Sequence, residues 1–251
     1  MSISILIPAY NEEKYIKGTI LETLSYLKKL KLDFEIIIIP NGCSDKTELI
    51  AKELSKNNKK IKYVVSKKGA GNAIKKGIKY ASKDIITWVF ADGEMDYSFI
   101  KKGLELMNEY DLVTGARVLE NKKFGVKEDK EKGFISNSLR RFLSKSCRLF
   151  SRYWIPLPIS EIGILKMFKR RWAQKNLNLR DPNWGIQAEI LLQAGLDKLK
   201  IKEIPIKIEL KRHTSESRLN VFQEMISLLK SITKAGVKVR LTKLKRLFSK
   251  E

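Results

Sequence analysis

The sequence predicts an α/β fold, a mostly parallel central sheet flanked by helices, with an amphipathic helical tail at its C-terminus. Three observations carry that prediction. Apolar, β-branched runs of strand length alternate with stretches of helical spacing over residues 3–96. The connections between them are short, as in sheets wound with crossover helices. Several runs end in polar, glycine-bearing loops, the place where open α/β sheets gather ligand-handling groups.

Ile3-Ser4-Ile5-Leu6-Ile7 reads as the first strand and is ended by Pro8. Asn11 precedes Glu12, Glu13 and the apolar series Ile16, Ile20, Leu24 and Leu27, so a helix with Asn11 as its N-cap is expected. Glu35 to Ile39 is almost wholly apolar and is expected to be a strand buried on both faces. Pro40-Asn41-Gly42-Cys43-Ser44-Asp45-Lys46-Thr47 turns the chain into a helix ending near Leu54. Ile61 to Val65 is a third strand, and Lys67-Lys68-Gly69-Ala70-Gly71-Asn72 leads into a helix through Ala81. The apolar run that starts at Ile86 stops abruptly in Ala91-Asp92-Gly93-Glu94-Met95-Asp96.

Beyond that point the rhythm changes. Leu112 to Arg117 is a strand, Glu120 to Lys132 a charged loop, and Ser136 to Tyr153 a helix rich in arginine. Gly163 to Phe168 is a strand, Asp181 to Gly195 contains a helix, and Ile201 to Leu210 has strand character. An amphipathic helix runs from Val221 to about Lys234. The expected division is an α/β domain over residues 1–220 and a basic helical extension over 221–251.

A net charge of +23 implies attraction to polyanions: nucleic acid, anionic membrane or phosphorylated substrates. The lysines are spread over nearly every helix without interleaved stacking aromatics, which argues against nucleic acid. Cys43 and Cys147 make neither a zinc spacing nor a disulfide framework, so a reducing, cytoplasmic setting is expected. No basic leader precedes the first apolar run, and no apolar segment reaches the length that spans a bilayer. Val237 to Phe248 alternates basic and apolar residues; as a helix it groups Leu241, Leu244 and Phe248 on one side. It suits either a membrane interface or a solvated helix packed on the core. At an anionic surface each lysine or arginine contributes about 1 kcal/mol, enough for reversible, peripheral attachment.

The acidic lip after Val89 admits two readings. Asp92 and Glu94 can hold a divalent metal against the diphosphate of a nucleotide sugar, or the segment is a polar loop in which Asp96 caps the following helix.

Six segments taken together decide between them. Ile7-Pro8-Ala9-Tyr10-Asn11-Glu12, Asn41 through Thr47, Lys68-Gly69-Ala70-Gly71-Asn72-Ala73, Ala91-Asp92-Gly93-Glu94, Gly115-Ala116-Arg117 and Arg212 through Arg218 stand in one order along the chain. In that order the sequence resembles the family-two glycosyltransferases, and within them the dolichyl-phosphate mannose and glucose synthases, over residues 2–218. The resemblance implies the GT-A fold, a Rossmann-like, mostly parallel sheet flanked by helices. It also implies an inverting transfer of a sugar from a GDP- or UDP-sugar to a polyprenyl phosphate, at the cytoplasmic face of a membrane.

Residue by residue, the resemblance puts Pro8, Tyr10, Glu12, Asn41, Lys68, Gly69, Ala91 and Asp92 around the nucleotide sugar. Asp92 and Glu94 would hold Mg²⁺ or Mn²⁺. Arg117, Lys132, Ser136, Glu189, Arg212 and Arg218 would serve the acceptor and its phosphate, with Asp92 and Arg117 closest to the chemistry. An acceptor phosphate is already an anion and needs no general base, which fits a chain whose only histidine is His213. It needs cations instead, because two unit charges about 4 Å apart repel by about 4 kcal/mol at an effective dielectric of 20. The chain departs from the family pattern at three points: Phe90 replaces the first aspartate of Asp-X-Asp, Pro40 replaces an acidic neighbour of Asn41, and Ile159 stands where an aspartate usually precedes Gly163. These departures leave room for a glycan or other acceptor, or for a non-catalytic relative.

Overall fold

A computed structural model describes residues 1–93, 96–117, 153, 157, 159–160, 162, 165–206, 230, 233–234, 236–237 and 240–241. Seven strands form one sheet: β1 (Ser2–Ala9), β2 (Asp33–Pro40), β3 (Ile61–Tyr63), β4 (Ile85–Trp88), β5 (Leu112–Arg117), β6 (Leu165–Lys169) and β7 (Ile201–Ile206). The helices are α1 (Ile16–Lys29), α2 (Thr47–Asn57), α3 (Ala70–Tyr80), α4 (Ser98–Leu106), α5 (Arg170–Asn176) and α6 (Ile186–Leu196). Strand order is β3-β2-β1-β4-β6-β5-β7. Only β6 runs antiparallel to its neighbours β4 and β5. The α/β, mostly parallel expectation therefore holds for the described residues.

β1 and β2 form the centre. Seven consecutive residues of each are buried, because helices cover both faces and leave no side for polar alternation. On one face α1 carries Ile16, Ile20, Leu24 and Leu27 into the core, the series expected from sequence. α4 joins it there through Tyr97, whose hydroxyl meets the Thr23 hydroxyl at 3.0 Å. On the other face α3 approaches so closely that a Cβ at Gly77 would lie 2.6 Å from Ile39 and 2.8 Å from Leu6. α5 packs beside α3, with the Gln174 amide donating to the Ile78 and Ala81 carbonyls.

Two expectations are corrected. Asn11 is not the N-cap of α1, which begins at Ile16 after Tyr15. Asn11 sits at φ 54 and spends its carboxamide on Ser44, accepting the Ser44 N–H at 2.8 Å. The reason is that the chain first crosses toward the β2 loop; the Glu12 carbonyl then accepts the N–H groups of Tyr15 and Ile16 to start the turn. The strand expected over Gly163 to Phe168 is Leu165–Lys169, and its reversed direction was not expected. The loop at Glu120–Lys132, residues 136–152 of the helix expected over Ser136–Tyr153 and the strand residues 207–210 lie outside the described residues.

The sheet edge away from the loops just discussed is tied by a buried carboxylate. Glu35, 3% exposed, accepts from the Ser4 hydroxyl, the Ser82 N–H and hydroxyl, and pairs with Lys62. Beside it Asp33 bridges Lys60 and Lys83.

Candidate functional site

Between β1 and β4 the winding reverses: β2 and β3 lie to one side of β1, and β4 to the other. Such a switch point opens a crevice outside the carboxyl ends of the strands. Four loops meet there, following β1, β2, β3 and β4.

The β1 and β2 loops are zipped together. The Thr47 hydroxyl accepts the Glu12 N–H at 2.7 Å, the Asp45 carboxylate accepts the Glu13 N–H at 3.1 Å, and the Glu13 carboxylate accepts the Lys46 N–H at 3.0 Å. Burial pushes the Asp45 pKa up, but the Thr47 hydroxyl, the Thr47 N–H and the Glu13 N–H outweigh it and hold the carboxyl below 3.8. The rim is thus fixed by backbone N–H groups held on side-chain oxygens of the facing loop. Pro8 is buried opposite Ile39 in the β1–β2 register, directly beneath this rim.

Asn41 is buried and joins three loops. Its amide nitrogen donates to the Ala9 carbonyl at 2.7 Å, and its amide oxygen accepts the Gly69 N–H at 3.1 Å. An amide can do both at once, which an ionised carboxylate cannot. This gives Asn41 a structural task in the pocket wall, next to any contact with a base. Tyr10 is 43% exposed above it, and the Lys68 ammonium stands 4.8 Å from the Tyr10 ring centroid. At an exposed site that cation–π contact contributes about 0.5–1 kcal/mol. It presents an aromatic face and a cation side by side.

The third loop is pressed against a segment that the sequence reading did not single out. A Cβ at Gly69, where φ is +117, would lie 2.3 Å from the Pro182 carbonyl oxygen. A Cβ at Gly71 would lie 2.5 Å from the carbonyl oxygens of both Asp181 and Asn183. The Asn72 N–H donates to the Pro182 carbonyl at 3.1 Å. Gly71→Ala should therefore push the 181–183 turn off α3, lower stability by about 2 kcal/mol and weaken nucleotide binding. Thermal unfolding and a titration with a nucleoside diphosphate would measure both effects.

That turn is itself held by Glu189, whose carboxylate accepts the N–H groups of Arg180 and Asp181 at 2.8 and 3.2 Å. Glu189, expected on the acceptor side, is thus engaged with the backbone of the turn that presses on Gly69 and Gly71. The turn also delivers Trp184, which meets Phe90 edge-to-face at a centroid distance of 5.7 Å. The run Asp181-Pro182-Asn183-Trp184-Gly185 carries turn signals that the expectation of a helix within Asp181 to Gly195 passed over, and no local signal says what the turn packs against.

The β4 loop carries the acidic lip. The Thr19 hydroxyl donates to the Ala91 carbonyl at 2.8 Å, and the Gly93 N–H returns to the Phe90 carbonyl at 3.2 Å with φ 75 at Gly93. Ala91 is buried and Asp92 half-buried in a turn held on both sides. Asp96 is not the N-cap of α4, which is Tyr97; one residue earlier, its carboxylate accepts the Ser98 N–H at 2.8 Å.

A divalent metal is implied by the resemblance, and the donor set suits one. Magnesium uses one or two carboxylates plus substrate phosphates and keeps several waters. Asp92 in a braced turn would supply one hard oxygen ligand; Phe90, packed on Trp184, has none to offer. Among the described residues no three His, Cys, Asp or Glu side chains gather closely enough to hold a cation alone. Glu94 lies outside the described residues, as do Lys132, Ser136, Arg212 and Arg218. Arg117 ends β5 opposite Ile206, at the same sheet edge as the loops.

Comparison with known proteins follows from this geometry. Residues 4–177 match the family model described as glycosyl transferase family 2. An uncharacterised protein of Methanocaldococcus jannaschii is 30% identical over 237 residues, covering 92% of this chain and 90% of its own. The glycosyltransferase AglD of Haloferax volcanii is 26% identical over 85% of this chain, which spans only 34% of that protein. Human dolichyl-phosphate beta-glucosyltransferase is 24% identical, with 81% of this chain and 66% of the human protein covered. Among solved structures, mannosyl-3-phosphoglycerate synthase from Rubrobacter xylanophilus superposes with a TM-score of 0.67 at 13% identity, over 98% of this chain and 75% of that one. Glucosyl-3-phosphoglycerate synthase from Mycobacterium tuberculosis, in complex with UDP, gives 0.63 at 17% identity over 94% and 80%. At such identities the two structures speak to the fold.

Proposed function

The chain belongs to glycosyl transferase family 2 and has the GT-A fold, and from that premise we propose that it moves a hexose from a nucleoside-diphosphate sugar to a polyprenyl phosphate. The observation that carries the donor half is the braced crevice at the β1/β4 switch point, with Tyr10, Lys68 and Asn41 on one side and Asp92 on the other. Tyr10 offers a face to the base, and Lys68 a point charge to the phosphates. Asp92, with Glu94, would hold Mg²⁺ or Mn²⁺, and a bound cation supplies neutralising charge to the leaving diphosphate. The acceptor oxyanion attacks the anomeric carbon opposite that group; the new C–O bond forms as the bond to the diphosphate breaks, and configuration inverts. Arg117, with Lys132, Arg212 and Arg218, offsets the repulsion between the two phosphates.

Support for a lipid phosphate comes from the relatives named dolichyl-phosphate beta-glucosyltransferase, which also favour a nucleotide-glucose donor. The net charge of +23 favours an anionic membrane surface as the place of work. Among the described residues no helix is long and apolar enough to cross a membrane. Tyr153, Val237 and Leu241 are exposed, and the Arg240 guanidinium lies 4.8 Å from the Tyr153 ring centroid, an apolar and cationic mixture suited to an interface.

The test incubates the protein with Mn²⁺, labelled UDP-glucose or GDP-mannose, and either a polyprenyl phosphate or 3-phosphoglycerate. Label in the lipid phase is expected with the polyprenyl phosphate. Label only on phosphoglycerate would replace the lipid with a soluble phosphate acceptor, and no transfer from any donor would remove the proposal.

A further inference from the structure

Lys166 is fully buried on β6, where lysine is among the residues least often found without a charge or hydrogen-bond partner. Its register explains why the location matters. β6 runs antiparallel to β4, with Ile85 opposite Lys169 and Ile86 opposite Phe168, so Lys166 comes level with Trp88 at the end of β4. On its other side it pairs with Thr114 of β5. Lys166 therefore lies at the loop-bearing edge of the sheet, beneath the half of the crevice away from Tyr10 and Lys68.

Its ammonium donates to the Ile162 carbonyl at 2.8 Å and to the Gln187 side-chain oxygen. Gln187 is 3% exposed in the first turn of α6, and its N–H donates to the Trp184 carbonyl. One buried cation thus joins the chain just before β6 to the turn that carries Trp184. The same pre-β6 segment is anchored outward by Glu203 of β7, whose carboxylate accepts the Ser160 N–H at 2.8 Å and hydroxyl at 2.7 Å. Ser160 and Ile162 are therefore pinned from two sides, over β6 and β7.

We propose that Lys166 is a positioning residue for acceptor binding: through Ile162 and Gln187 it holds the pre-β6 segment against the Trp184 turn, forming the floor of the acceptor half. An ammonium suits this task because its three donors can satisfy a carbonyl and an amide oxygen from two elements at once. A buried apolar side chain of similar length fills the space but makes neither bond. The Trp184 turn also touches the third donor loop, through the Pro182 carbonyl and the Asn72 N–H, so Lys166 reaches the donor side through that turn. The inference rests on the proposed function, in which Arg117, at the end of the β5 strand that pairs with β6, serves the acceptor phosphate.

The experiment compares the wild-type protein with Lys166→Met and Gln187→Leu in three readouts: titration with UDP-glucose, acceptor KM and kcat with polyprenyl phosphate, and hydrogen exchange at the Ser160 and Ile162 amides. Both variants should raise acceptor KM about tenfold, raise donor Kd by a clearly smaller factor, and speed exchange at the two amides. Gln187→Glu, which retains an acceptor for the ammonium, should restore acceptor KM. Donor Kd rising in step with acceptor KM would reduce Lys166 to general stability and overturn the proposal, as would unchanged acceptor KM in Gln187→Leu. Should Lys166→Met fail to fold, the two Gln187 variants decide alone. If the wild-type protein transfers to no acceptor, the functional reading fails; exchange at Ser160 and Ile162 then still tests the tether, and unaltered exchange in Gln187→Leu removes it.

Discussion

Asp92→Asn should lower sugar transfer by about a thousandfold at saturating donor, close to 4 kcal/mol of transition-state stabilisation. Asparagine keeps the size of the side chain and can keep its hydrogen bonds, so the turn itself should survive. That turn is fixed independently, by the Thr19 hydroxyl on the Ala91 carbonyl and by the left-handed Gly93. What the substitution removes is the negative charge, the property a hard divalent cation requires. The unfolding temperature should accordingly move by no more than a few degrees, while Mn²⁺ binding in the presence of UDP, followed by electron paramagnetic resonance, should weaken by at least tenfold. Undiminished transfer by Asp92→Asn would return the acidic lip to a polar loop. Phe90 sharpens the expectation, since its ring is committed to Trp184 and cannot substitute for the lost carboxylate.

Glu35→Leu should lower stability by about 1–3 kcal/mol. Leucine fills the space but leaves the buried Ser4 hydroxyl without its acceptor, and it releases the Ser82 N–H and hydroxyl and the half-exposed Lys62 ammonium. For a chain of this size the unfolding temperature should fall by several degrees, roughly 2–4 °C per kcal/mol. The site lies at the opposite edge of the sheet, so donor affinity of the folded fraction should be unchanged. The same network predicts acid sensitivity. Burial pushes the Glu35 pKa up, but Lys62, Ser4 and Ser82 outweigh it and hold it below 4.5; Lys83 and Lys60 lower that of Asp33 from 3.8 to about 2. Depressed carboxylates stabilise the fold above their unfolded pKa values, and this stability is lost as pH falls through the folded ones. Stability should be level above about pH 5 and decline below it. Glu35→Gln should remove the upper part of that decline and leave the part due to Asp33, between 3.8 and about 2. Urea titrations at a series of pH values would show both limbs.

The first half of the fold was legible in the sequence because its signals are local. Strand length, helical spacing and short connections located β1 to β4 and α1 to α3 within a few residues. The loops at the crevice were legible as well, since Gly69 and Gly71 announce a close backbone approach and Asn41 a polar role. Their partners were not legible, because close approach involves two segments far apart in the chain. Nothing in Lys68 to Ala73 says that Pro182 is what crowds it. The Asn11 error has the same origin: a good N-cap residue was drawn instead into a bond with Ser44, an override of local preference by a neighbouring loop. α5 escaped notice because seven residues are too few for a helical period to show. Lys166 was hidden for a different reason. In a chain with 51 lysines and arginines, the sequence offers no mark that distinguishes one lysine that is buried.

The antiparallel β6 inserted between β4 and β5 has a consequence for how the protein is made. Residues 2–88 supply four adjacent strands, β3-β2-β1-β4, so half of the sheet can close as soon as that length has emerged. β5 is synthesised next but finds neither neighbour waiting: β6 begins at Leu165 and β7 at Ile201. Until those later strands arrive, a short apolar strand stands without either of its ladders, the condition under which strands seek foreign partners. The delay spans dozens of residues at the ribosome, and the second half of the sheet then closes around β5 in one late, long-range step.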